Sequence, residues 1–195
     1  MKITLLIILI SGLLISLFSF IKGEGLYEPS YKLIEKSNNI QIREYQNILI
    51  ASTKKKSPYN AATSSGFRTL ANYIFGANKE QVKMPMTAPV FTTLPGNESI
   101  SISFVMPSKY LKNDLPRPFS NEIEFKNLEL GKTAVIQFGM WATPKRIVKM
   151  KSKLEKYLDA NNLEASSDYL VAQYNSPWTL PPFRRNEILV SINKN

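Results

Sequence analysis

The 195-residue chain has no cysteine and no histidine. Without cysteine there is no disulfide, no thiolate nucleophile, no zinc–thiolate site and no lipid-modified cysteine. The missing histidine removes more, because imidazole is the commonest general base and the commonest metal ligand. A Ser-His-Asp triad, a Cys-His dyad, a histidine zinc site and histidine-ligated iron are all excluded. Any iron coordination would fall to Met, Tyr, Lys or a carboxylate, or to nothing in the protein. Negative charge is also scarce: 15 Asp and Glu face 25 Lys and Arg, a net charge of +10. Such a surface attracts anions, whether nucleic acid, acidic lipid or a small carboxylated ligand, or else it only keeps the protein in solution. Apolar residues make up 44% of the chain, enough for a real core and too many for disorder.

The chain opens with MKITLLIILISGLLISLFSF, one lysine followed by an apolar block from Ile3 to Ile21 that Lys22, Gly23 and Glu24 end. This is the layout of a secretory signal peptide, and the block is also long enough to stay as a single membrane anchor. Residues 1–23 are therefore expected to be leader or anchor. Residues 24–195 are expected to form one exported domain, secreted or periplasmic.

Beyond the leader the chain reads twice. Tyr31 to Glu35 and Ile40 to Tyr45 alternate apolar with polar around the turn Ser37-Asn38-Asn39, and Asn47 to Thr53 continues as a strand. Ser57-Pro58 predicts a helix start, with Ser as N-cap and Pro at the first position. Phe67, Leu70, Ala71 and Ile74 then form an i, i+3, i+4, i+7 stripe that Gly76 ends. Strands follow near Pro89 to Thr93 and Ile100 to Met106. The second half repeats the order: Ile123 to Leu130 and Thr133 to Ala142 as strands, and Thr143-Pro144 opening a helix with Ile147, Met150, Leu154 and Leu158 on one face. That helix fades at Asn161-Asn162, and Tyr169 to Tyr174 and Glu187 to Ile192 are the last strands. The expected fold is α+β. Two strand-strand-helix-strand-strand halves, 31–106 and 123–192, form a twisted, mainly antiparallel sheet or barrel flanked by two helices. LKNDLPRPFSN (111–121) is the linker between halves.

YIFGAN (73–78), KMPMTAPV (83–90), VIQFGMWA (135–142) and PPFRRNEILV (181–190) resemble the SOUL haem-binding protein family, in its order and spacing. The resemblance covers about Tyr27 to Ile192. It implies a duplicated barrel-like fold akin to the effector-binding domains of bacterial regulators. It also implies non-covalent, reversible binding of haem or another tetrapyrrole, with no defined catalytic reaction. It maps the ligand to the first helix, around Phe67 to Tyr73, and to the loop Ser176 to Phe183. A histidine-ligated mode proposed for one branch of the family is impossible in this chain, and the first helix carries a single basic residue, Arg68.

Met84 and Met86 lie two apart in an extended Pro-rich stretch, so they share a side. One could ligate iron through its thioether, or both could fill an irregular joint in the core. Tyr174, Trp178, Leu180 and Phe183 cluster in YNSPWTLPPF, where three prolines can hold aromatics over a groove for a flat apolar ligand, or where the cluster seals the sheet end. Of Arg184 and Arg185, which enter a strand and so diverge, at most one is expected to reach the groove, where it could pair a carboxylate, while the other meets Glu187 or another acid. Arg68, Asn72 and Tyr73 lie off the apolar stripe of the first helix and are candidates for ligand contact; Tyr59 and Tyr73 could supply a phenolate. The lysine clusters, Lys54-Lys55-Lys56 and the second helix, lack the stacking aromatics and motifs of a nucleic-acid binder, so anionic lipid or plain solvation is the better reading. The function expected is haem or tetrapyrrole binding. The alternative is a non-catalytic module for another apolar anion or a protein partner. With neither His nor Cys, and no paired carboxylates, an enzyme is disfavoured.

Overall fold

The structure, a computed structural model, describes residues 26–194, so the leader at 1–23 lies outside the described residues. The chain is α+β. Its elements run β1 (Tyr31–Ser37), β2 (Ile40–Tyr45), β3 (Ile48–Lys55), α1 (Tyr59–Ile74), β4 (Val90–Thr93), β5 (Ile100–Val105), β6 (Glu124–Leu128), β7 (Lys132–Phe138), α2 (Pro144–Ala160), β8 (Leu163–Ala165), β9 (Leu170–Gln173) and β10 (Asn186–Lys194). The short β8 is the strand the sequence pattern does not announce. All strands join one sheet in the order β1-β2-β7-β10-β9-β4-β5-β3-β6, with β8 on β10, and the pairing is antiparallel throughout. The path ends in β1 on one side and β6 on the other, so the sheet is open rather than a closed barrel.

The strand alternation sorts side chains onto two faces. On one face α1 packs against β3 and β5, and α2 against β7, β8 and β10. Ala51, Ile102 and Phe104 lie under α1 with Leu70 and Ile74, and Ile136, Ile188 and Val190 lie under α2 with Ile147, Leu154 and Leu158. On the other face Ile50, Phe91, Val105, Val135, Ala172 and Leu189 form a third cluster with Tyr45. That cluster draws on β2 and β3, which are far apart in the strand order, so the helix-free face curls on itself.

The helix ends follow local chemistry. At α2, Thr143 is the N-cap and its side chain accepts from the Arg146 amide at 3.3 Å, with Pro144 next, as the sequence predicts. At α1 the cap shifts by one residue: Pro58 occupies the N-cap with no side-chain hydrogen bond, and Ser57 lies outside the helix. Gly76, at φ +105°, ends α1. Its N–H bonds the Tyr73 carbonyl at 3.3 Å, and the Ala77 N–H bonds that of Asn72 at 2.9 Å, the double bond pattern that a left-handed residue permits.

Candidate functional site

β4 and β9 meet at the middle of the sheet, pairing Val90 with Gln173 and Thr92 with Val171. The two helices lie to either side of this seam, and a groove of about 450 Å³ opens beside α1. Its floor comes from the sheet (Val90, Thr92, Ile102, Gln173), and one wall from α1 (Thr63, Ser64, Phe67, Arg68). The other wall comes from loops, with Trp141 before α2, Asn175 and Pro177 after β9, and Arg184 before β10. The volume lies within the range of small-molecule sites, and the lining mixes apolar rings with a few polar groups, as such sites do. Phe67 serves two ends: it stacks edge-on against Phe104, centroids 5.1 Å apart, and it faces the groove.

Two guanidinium groups give the groove its charge, Arg68 exposed on α1 and Arg184 nearly buried opposite. Arg184 lies over the Trp141 ring at 3.8 Å and donates from Nη2 to the carbonyls of Pro177 at 2.6 Å and Ser176 at 3.3 Å. Its Nε is buried without a partner among the described residues. Removal from water pulls the Arg184 pKa below the ordinary arginine value. Arg185 turns the other way, as alternation requires: it pairs with Glu28 and stacks over the Tyr174 ring at 3.5 Å.

The candidate residues divide. Arg68 and Arg184 line the groove. Asn72 is exposed on α1 outside the lining. Tyr73 is core rather than ligand contact: it is buried, and its hydroxyl donates to the Pro116 carbonyl at 2.8 Å. Met84 is buried in the α1 core and Met86 packs, half-buried, on the same cluster, so both fill the joint and neither faces the groove. Trp178, Leu180 and Phe183 stand in solvent at 91%, 65% and 74% exposure, outside the lining. Tyr174 points to the curled interior, one residue out of phase with Gln173 and Asn175, and its hydroxyl donates to Glu187 at 2.7 Å. Burial and the Glu187 charge push that phenol up. Tyr59 is held by Thr92, hydroxyl oxygens 2.9 Å apart, and burial raises its pKa, which keeps it a phenol rather than a phenolate ligand.

Sequence reasoning missed Trp141 and the buried pair Arg43–Glu187. Trp141 sits in VIQFGMWA, within the family-like stretches, and a Trp just before the Thr143-Pro144 helix start was the available signal. Arg43 and Glu187, each 1% exposed, form a bidentate pair with both N–O distances 2.9 Å. Tyr45, Gln41, Gln137 and Tyr174 complete its hydrogen bonds.

An open antiparallel sheet with two helices on one face and a groove at the central seam defines an α+β protein with a candidate small-molecule site. The SOUL heme-binding protein family model matches residues 26–191, and the chain belongs to that family. It is 27% identical to heme-binding protein 1 of Xenopus laevis over 186 residues, covering 88% of this chain and 97% of that protein. It is 28% identical to heme-binding protein 2 of Homo sapiens over 184 residues, covering 89% of each. The fold is shared with the C-terminal domain of EcmrR, at TM-score 0.62 and 13% identity over 85% of this chain and 99% of that one. A hydrolase from Listeria innocua has it too, at TM-score 0.58 and 7% identity over 82% of this chain and 94% of the other.

Proposed function

We propose that this protein binds haem or a related dicarboxylate tetrapyrrole, reversibly and without covalent attachment, in the groove between α1 and the loops at Trp141 and Pro177. The observation that carries the reading is an apolar lining, Phe67, Val90 and Trp141 over the buried Ile102, with Arg68 and Arg184 beside it. Rings stack on rings, and guanidinium groups pair carboxylates. The family membership and the heme-binding relatives support the same ligand class. The family membership and its heme-binding relatives support a role in binding rather than catalysis.

Among the described residues the lining contains no His, Met, Tyr or Lys, the side chains that would ligate iron. The porphyrin would then be held by its faces and its carboxylates. Metal-free protoporphyrin should bind about as tightly as ferric haem, and Trp141→Ala should weaken both about tenfold through lost ring contact. Titration of each ligand, followed at the Soret band, is the test. A haem preference abolished by Met86→Ala would overturn the unligated mode, and the lack of any saturable one-to-one shift would overturn the ligand.

Export belongs to the same proposal and rests on the sequence of residues 1–23. Fractionation of cells that express the full chain, with sequencing of its N-terminus, distinguishes a cleaved leader from a retained anchor. Among the described residues no helix is long and apolar enough to cross a membrane.

A further inference from the structure

We infer that the face built by the Pro-rich loop and the start of α2 docks on an anionic bilayer surface. Trp178, Leu180 and Phe183 are among the most exposed large apolar side chains, and they come from one loop. The loop is held in that state. Residues Pro181–Phe183 form a 3₁₀ turn, and Arg184 ties down the carbonyls of Ser176 and Pro177. Proline limits the backbone further, so the loop keeps little freedom to rearrange. Rigid exposure of this kind lowers the ordering cost of meeting an apolar phase.

The loop is fastened to the segment that opens α2. The Met140 N–H donates to the Pro181 carbonyl at 3.0 Å, and Asn186 Nδ2 donates to the Met140 carbonyl at 2.9 Å. Beside this junction lies a hollow of about 370 Å³, with Phe138, Met140 and Met150 on its apolar side and Lys145, Arg146 and Lys149 on its basic side. The stretches 131–154 and 169–186 contain no Asp or Glu, although the whole chain has 15. The charge is therefore complementary to lipid phosphate and serine headgroups, each lysine near such a surface adding to the attraction. The apolar part is three exposed side chains of one loop, joined through Met140 to the basic hollow, which suits shallow insertion below headgroups better than a broad protein interface. Trp141 and Pro177 belong both to this face and to the groove wall, so a tetrapyrrole dissolved in the bilayer would meet the groove mouth there. That transfer rests on the proposed ligand, but the docking itself does not.

Trp141 and Trp178 are the chain's two tryptophans, so intrinsic emission reports on this face. The test uses the full chain without tetrapyrrole, carrying Trp141→Phe so that Trp178 is the emitter. It is mixed with phosphatidylcholine vesicles, with or without phosphatidylserine, whose acyl chains are brominated in a parallel set. We expect a blue shift and bromine quenching with phosphatidylserine vesicles. Phe183→Asp should abolish the quenching. Lys145→Glu and Lys149→Glu should each weaken association at least about fivefold. A chain that sediments with vesicles through residues 1–23 while Trp178 keeps its aqueous, unquenched emission overturns the inference. So does equal quenching on uncharged vesicles with no effect of the lysine changes. The Soret titration, run without lipid, stands or falls separately.

Discussion

Arg43 and Glu187 place a full ion pair where neither charge meets water. Burial alone would raise the Glu187 carboxyl, but the hydrogen bonds and charge of Arg43, with donors from Tyr174 and Gln137, win and hold it below its ordinary value. A carboxyl depressed on folding stabilises the native state above its unfolded pKa, and that contribution is lost as pH falls through the folded one. Stability should therefore be flat near neutrality and decline below about pH 4, from the unfolded glutamate pKa downward. Glu187→Gln should cost about 3–5 kcal/mol at neutral pH, because Arg43 is left buried without its counter-charge. It should also flatten the acid decline. Urea unfolding at neutral and acidic pH measures both, and an unchanged acid slope in the variant would assign the decline to other carboxylates. This pair was illegible in IQIREY, where Ile40 and Ile42 mark the core face and Gln41, Arg43 and Tyr45 read as the solvent face. Alternation separates two faces but cannot say that both are covered. Tyr174 fails for a related reason: within a Pro-rich aromatic cluster the pattern does not fix phase, and a one-residue change of phase moves a side chain to the opposite face.

At the scale of elements, α1 comes closest to the sheet at Gly66. A Cβ there would lie 2.5 Å from Ile102 Cδ1 and 2.8 Å from Cγ1, and Ile102 is fully buried. Alanine would gain about 1 kcal/mol of helix propensity but would lose about 1–3 kcal/mol to overpacking, so Gly66→Ala is expected to be net destabilising. Ile102 also floors the groove, so the same change should reduce tetrapyrrole affinity by tilting that side chain. Ile102→Ala removes the two clashing carbons. A double-mutant cycle by urea unfolding should show Gly66→Ala becoming neutral or favourable in that background. Additive effects would mean that α1 shifts bodily instead. Both helices were legible because their stripes run over many turns, whereas the three-residue β8 leaves too little pattern to see. The cap at α1 was misplaced by one residue because Pro58, with φ −51° and ψ 144°, occupies the extended cap itself. The sharing of a core side by Met84 and Met86 was legible from their spacing, and their burial agrees with methionine as a filler of irregular joints.

In the whole molecule the strand pairings come in matched sets: β3–β5 with β7–β10, β4–β5 with β9–β10, and β3–β6 with β2–β7, leaving β4–β9 as the central join. The repeated order of elements was legible, but period-two patterns do not name partners, so the crossing of β2 and β6 into the opposite half was not. Nor was the groove, whose walls come from positions 63 to 184 and exist only once β4 and β9 meet. That placement makes the seam the part of the molecule most coupled to a ligand. Opening β4 from β9 would destroy the groove floor, so a bound tetrapyrrole must dissociate first. At ligand one hundredfold above its Kd this costs the opening about 2.7 kcal/mol, or about a hundredfold in exchange rate. The edge strand β1, exposed along its length, can fray without touching the groove. Hydrogen exchange with and without haem should therefore slow the β4 and β9 amides by about that factor while leaving those of β1 unchanged. Equal protection everywhere would mean that the molecule opens only globally. Protection confined to α2 and β8 would move the ligand to the polar hollow of Glu155, Lys156 and Asp159, and the groove would then be free of it.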